Sequence, residues 1–297
     1  MRRITICALV IVVLTSLCIG QREEFTLQEW KDHISFASPP SGQDPTSMIS
    51  GVRNVDELPV GTHMVFEIES EGTSQGVNIG TNMTLGMTVS GREVVEGIHC
   101  TVLDIAMEME METQGVSMVL AVEGKEWIDE TGTPVRVEEE VAMKFGEYEI
   151  PMQLNINRTG EELIYGHDCW VFTGTQTMEV MGIQGEESKV IEYMDKESKA
   201  IIQAITTIGE EEVDTGYIEP PIPVEDLQWE LGGRESVTTP MGTYDCQIIY
   251  LKENEEVVGT IWATEDIRAP IKYVFSYETA DMDLEMTMTL IEYTLGP

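Results

Sequence analysis

Residues 106–114 read Ala106-Met107-Glu108-Met109-Glu110-Met111-Glu112-Thr113-Gln114, three thioethers alternating with three carboxylates. A period of two belongs to an extended strand, because successive side chains leave a strand on opposite sides. A helix would scatter the same methionines around its circumference. The segment is therefore a strand with one dry and one wet face, and the dry face must meet a protein core, an apolar ligand or a soft metal.

Working outward, the alternation recurs at Met64-Val65-Phe66-Glu67-Ile68-Glu69, from Met83 to Val89 and from Met282 to Leu290. Gly, Asn and Asp bound these runs, and helix signals nearly vanish after Val55. The pattern predicts an all-β protein with few helices. With 297 residues, 42% of them hydrophobic, the chain can bury a sizeable core.

Two segments repeat in the same order. Gly91-Arg92-Glu93-Val94-Val95-Glu96-Gly97-Ile98-His99-Cys100 aligns without a gap on Gly160-Glu161-Glu162-Leu163-Ile164-Tyr165-Gly166-His167-Asp168-Cys169, and with a small insertion on Gly233-Arg234-Glu235 through Tyr244-Asp245-Cys246. Downstream, Trp127 to Arg136 matches Trp262 to Lys272, with Tyr193 to Ile201 as a weaker middle copy. Each unit reads strand, Gly turn, Cys strand, hairpin, aromatic strand, polar turn, strand. Three degenerate β repeats are expected, at about 60–150, 151–219 and 222–297, in a β domain spanning 55–297.

The Trp262–Lys272 stretch, an aromatic strand entering a short acidic turn and then Pro270 and an apolar-basic pair, resembles the repeated strand pair of LolA/LolB-like periplasmic lipoprotein carriers. Thr239-Pro240-Met241-Gly242-Thr243-Tyr244-Asp245-Cys246 is similar to the T-P-x-G-x-[FY]-x-C stretch of their relatives of unknown function. The resemblance implies a half-barrel, a strongly curved antiparallel sheet that cradles acyl chains on its concave side. In the carriers helices close that cavity, and no such helices are legible in this chain.

The N-terminus carries Arg2 and Arg3, an apolar run from Ile4 to Leu14, and then Thr15-Ser16-Leu17-Cys18-Ile19-Gly20-Gln21. This is the layout of an export signal over residues 1–20, and its apolar run is short for a membrane span, which needs about 20 residues. Leu17-Cys18-Ile19-Gly20-Gln21 resembles a lipoprotein maturation site, although Leu17 stands where Gly, Ala or Ser is usual. Lipidation at Cys18 on the outer face of the cell membrane is expected, with an uncleaved signal-anchor and plain secretion as alternatives. Residues 21–54 hold a Pro/Ser/Gly cluster and read as a flexible tether with a short helix around Leu27 to Ile34. Asn82 and Asn157 head glycosylation sequons.

Lys and Arg number 17 against 54 Asp and Glu, a net charge of −37. Phosphate-backbone binding needs the opposite sign, so a nucleic-acid partner is excluded. No calcium loop, G-x-S-x-G elbow, H-E-x-x-H helix or phosphate-cradling loop is present, and with four His the usual general bases are scarce. The abundant Glu pairs read as a solvated face, and no catalytic residue and no cofactor is expected.

Cys100, Cys169 and Cys246 occupy equivalent positions, each buried as a small hydrophobe, or two of them joined in a disulfide. Strand alternation separates His99 from Cys100, which argues against zinc. Copper would need Met107, Met109 and Met111 to converge, and the methionine pattern extends over a whole sheet face instead.

Two readings remain. One is an envelope protein holding a lipid or other hydrophobic ligand on the concave face, with Met107, Met109, Met111, Trp127, Trp262, Met286 and Met288 as contacts. The other is a non-catalytic structural or interaction module with a filled interior. The sequence names no protein partner.

Overall fold

The computed structural model describes residues 25–34, 55–74, 77–113, 116–146, 148–180, 183–185, 187–218, 227–278 and 282–297. The export signal, Cys18 and most of the tether lie outside the described residues.

Seven strands form a meander: β1 (His63–Ser74), β2 (Val77–Val95), β3 (Ile98–Thr113), β4 (Val116–Asp129), β5 (Pro134–Phe145), β6 (Tyr148–Ile164) and β7 (His167–Val180). The short β8 (Ile183–Gln184) pairs with β7, while β9 (Ser188–Asp195), β10 (Ile201–Ile208) and β11 (Glu211–Asp214) carry the sheet to one edge. On the other side of β1 the ladder runs through β16 (Met282–Thr294), β15 (Ile267–Glu278), β14 (Glu256–Thr264) and β13 (Gly242–Glu253) to β12 (Gln228–Thr239), the second edge. Every pairing is antiparallel, and β11 and β12 do not pair, so this is one open, curved sheet.

One face of this sheet, the inner face, carries the main core from β1 to β5 and from β12 to β16. No second sheet covers it, and the one α-helix among the described residues has seven residues. A sheet in that position buries its apolar face by curling over itself. In keeping with this, β12 touches β15 and β16, which are not its ladder neighbours.

Helix α1 (Leu27–His33) begins at a capping box, in which Glu29 N–H donates to Thr26 Oγ1 (3.3 Å) and Thr26 N–H donates to Glu29 Oε2 (2.6 Å). Trp30 and Ile34 are buried in the main core, the Lys31 ammonium lies 5.1 Å from the Trp229 ring centroid, and His33 Nε2 is 3.2 Å from Thr264 O. The expected short helix is thus present. The tether reading of 21–54 is corrected over residues 25–34, because burying an indole and an isoleucine holds this stretch against the sheet.

Gly91 and Gly160 each follow a one-residue slip in the ladder, after Val89 in β2 and after Arg158 in β6, and a wider slip separates Leu231 from Arg234 in β12. A bulge bends its strand and resets which face later residues take. Beyond the first slip, Cys100, Val102, Trp127 and Val135 form a small core on the outer face, which is why neighbours Val102 and Leu103 are both buried. The turns that follow are alike: Glu96-Gly97 (φ 52° and 88°) and Tyr165-Gly166 (φ 52° and 94°) hold the left-handed pair that joins two-residue hairpins.

Candidate functional site

Ladder register resolves the inner face into cross-strand rungs. Toward the hairpin ends one rung holds Phe275, Met286, Ser70, Thr81, Met111, Met118, Phe145 and Tyr148, in order from β15 to β6. The next rung is Tyr273, Met288, Ile68, Met83, Met109, Leu120, Met143 and Ile150, followed by Leu290, Phe66, Leu85, Met107, Val122, Val141 and Met152. The alternation that starts at Met107 therefore extends across neighbouring strands from β16 to β6.

Of the expected contact residues, Met107, Met109, Met286 and Met288 are 4, 2, 6 and 6% exposed and pack in the main core. They present no surface to a ligand. Met111 is half-buried at its rung, and beside it the apolar side chains open outward through half-buried Met118 to Phe145, 37% exposed, and Tyr148, 63% exposed. The sequence reading passed over Phe145 and Tyr148 because only the register joins them to Met111.

Trp127 and Trp262 are corrected: both lie on the outer face. Trp127 pairs with Val102 and Trp262 with Ile248, one residue out of phase with the inner-face positions Leu103 and Ile249. Each is fixed in a polar clamp. Trp127 Nε1 donates to Glu93 (2.8 Å) under the Arg136 guanidinium, 4.8 Å from the ring centroid, and Trp262 Nε1 donates to Glu235 (2.9 Å) beneath Lys272 at 5.4 Å. Trp127 thus anchors the small outer-face core, and Trp262 packs half-buried against the edge of the main core.

The solvated-face reading of the Glu residues is corrected at two positions. In Leu120-Ala121-Val122-Glu123-Gly124-Lys125-Glu126 and Val137-Glu138-Glu139-Glu140-Val141, strict alternation puts Glu126 and Glu139 on the apolar face, where they are 5 and 6% exposed. Burial, and then the neighbouring Glu139, push the Glu126 carboxyl up to about 8. A groove of about 520 Å³ at this place is lined by Asp104 of β3, Glu123 of β4 and Glu138, Glu139 and Glu140 of β5, with Lys125 Nζ 3.2 Å from Asp104.

Cys100, Cys169 and Cys246 are free and buried, each thiol donating to the carbonyl two residues earlier. Desolvation raises all three thiols, Cys246 to about 11. His167 bridges Asp195 (Nδ1 to Oδ1, 3.3 Å) and Tyr217 (Oη to Nε2, 3.2 Å), which fixes the chain after β11. Asn82 and Asn157 are exposed on outward-facing strand positions. Among the described residues no helix is long and apolar enough to cross a membrane.

No protein-family model and no curated protein matches this chain. Solved structures do match. A β-barrel-like protein of the unknown-function family DUF1849 from Brucella abortus is 10% identical, covering 81% of this chain and all of its own, with a TM-score of 0.31. A DUF1329 family protein from Desulfovibrio piger is 8% identical over 81% of this chain and 88% of its own, at 0.23. A domain from Vibrio parahaemolyticus named for outer membrane lipoprotein sorting is 7% identical over 80% of this chain and 86% of its own, at 0.21. At such scores these are resemblances, and the inner-face geometry alone speaks to function.

Proposed function

We propose that this is an exported, lipid-anchored envelope protein that holds an apolar molecule of the acyl-chain type at the hairpin end of its curved sheet. The carrying observation is the rung Met111, Met118, Phe145, Tyr148, an unbroken apolar row on the inner face that grades from half-buried to exposed. Its four strands span about 14 Å at about 4.8 Å per strand. Thioethers adapt to guests of different shape, which suits a site lined by Met111, Met118 and Met143. The net charge of −37 favours a guest with an uncharged or cationic head. Anchoring through Cys18 and the absence of catalysis belong to the same reading. The recurring bulged hairpins and Trp–Glu clamps support a sheet built from three copies of one unit.

One observation favours a second reading. The deeper rungs are filled by the protein's own side chains, as expected of an interaction module that carries no guest. Detergent-free purification of residues 21–297, keeping α1, followed by native mass spectrometry and solvent extraction, separates the two. The ligand reading expects co-purified lipid, and displacement of a fluorescent acyl probe that Met118→Ser with Phe145→Ser abolishes. Neither lipid nor probe binding would leave the interaction module standing.

A further inference from the structure

Glu126 and Glu139 form a feature that ligand binding does not use. Glu126 lies on β4 between Leu103 of β3 and Val137 of β5, while Glu139 faces Gly124, two residues along β4. Gly124 leaves the space that Glu139 fills: a Cβ there would stand 2.8 Å from Glu139 Cγ and 2.5 Å from Glu138 O. Glu126 Oε2 is fully enclosed and accepts no hydrogen bond. On this face the ladder neighbours around Glu126 are Leu103 and Ile105 of β3, Val137 of β5, and Leu154 and Ile156 of β6, and among the described residues Glu139 is the charged group that acts on Glu126. Lys125 and Arg136 point to the outer face, where they pair with Asp104 and Glu138.

A buried anion without a donor needs a counter-charge or a proton. Calcium takes six to eight oxygens, and among the described residues no group of three His, Cys, Asp or Glu can hold a metal. The proton is the ligand that fits. We propose that Glu126 is a proton-operated joint in the inner face, with Glu139 as the like charge beside it: protonated, Glu126 lets β4–β6 close, and release of its proton opens this part of the sheet to water.

The joint closes with Glu126 neutral and opens with it ionised, so opening rises with pH. Between the ordinary carboxylate range and about 8, where Glu126 titrates in the closed form, opening grows about tenfold per pH unit for one proton released, and levels off above. This inference stands without a ligand.

Hydrogen exchange read by mass spectrometry on residues 21–297 from pH 5.5 to 9.5, corrected for intrinsic exchange, tests it. Protection in β4–β6 should fall with that slope and level off near pH 8, while β14 and β15 stay flat. Glu126→Gln should lose at least half of the slope. Glu139→Gln, which removes the like charge, should move the levelling-off to lower pH. Should Glu126→Gln fail to fold, the infrared band of a protonated carboxyl, present in the folded protein at pH 6.5 and lost at pH 9.5, reports the same group together with Glu139→Gln. Flat protection in β4–β6, an undiminished slope in Glu126→Gln, or no protonated-carboxyl band at pH 6.5 would overturn the proposal.

Discussion

Truncating one methionine at each of two adjacent inner-face rungs separates a filled core from a ligand-facing rim. Met109 sits on β3 between Met83 of β2 and Leu120 of β4, 2% exposed, with its whole side chain in the main core. Met109→Ala removes buried contacts that the curled sheet cannot fully close over, and the expected loss is about 2–5 kcal/mol. Against a typical total of about 5–15 kcal/mol this is a large share. At about 2–4 °C per kcal/mol for a large domain, Tm falls by on the order of 10 °C. Met118 stands one rung nearer the hairpin end on β4 and is half-buried. Met118→Ala should cost about 1 kcal/mol or less, because part of its surface is already in water. Adding an acyl ligand at about one hundred times its Kd should stabilise wild type by about 2.7 kcal/mol, Met109→Ala similarly, and Met118→Ala less. Urea melts with and without ligand measure both differences. If Met118→Ala costs as much as Met109→Ala, the hairpin-end rung is packed core and the ligand has no surface to occupy.

Three further outcomes follow from the geometry. Gly174→Ala would place a Cβ 1.8 Å from Asn155 O and 2.7 Å from Ile156 Cα, both backbone of the neighbouring strand; a loss of at least about 3 kcal/mol is expected by urea unfolding, and a loss under about 1 kcal/mol would show that β6 and β7 are less tightly apposed. Arg158 Nη1 and Asp129 Oδ2 form a buried ion pair at 2.8 Å, so Arg158→Met, which leaves the carboxylate alone, should cost about 3–5 kcal/mol. Burial alone would raise Asp129, but hydrogen bonds from Thr131, Arg158 and Thr133 hold it below the usual carboxylate range; its stabilisation is present above that range and is lost as pH falls through the folded value, so Arg158→Met should flatten the acid limb of stability between pH 2 and 5. Desolvation raises all three thiols, so Cys100, Cys169 and Cys246 should react with an aromatic disulfide reagent at pH 8 only after unfolding in urea; rapid reaction of the native protein would contradict their burial.

Much of the fold was legible because side-chain alternation is a local property of the chain. Met107, Met109 and Met111 face one way whatever they meet, and the Gly–Cys recurrence marks three bulged hairpins before any coordinates are seen. The candidate site was legible only in part. Met111 was found, but Phe145 and Tyr148 join its rung through the register of β4 with β5 and of β5 with β6, which no single run displays. Trp127 and Trp262 looked like cavity walls because aromatic size suggests a wall. Their phase against Leu103 and Ile249, set by the ladder, turns them outward. Glu126 and Glu139 were missed although parity was available, since a carboxylate at an apolar phase is easily read as one more charge on an acidic surface.

The sequence by itself determined an antiparallel β protein with a two-residue period, an acidic composition and thiols at equivalent strand positions, all carried by composition and near neighbours. The tertiary structure decided which of those faces is covered, that residues 25–34 dock on the sheet, where the methionine surface stays open, and that two carboxyls are sealed inside it. The physical reason is range: alternation is fixed within a strand, whereas burial depends on how register, bulges and curl bring distant strands over one another.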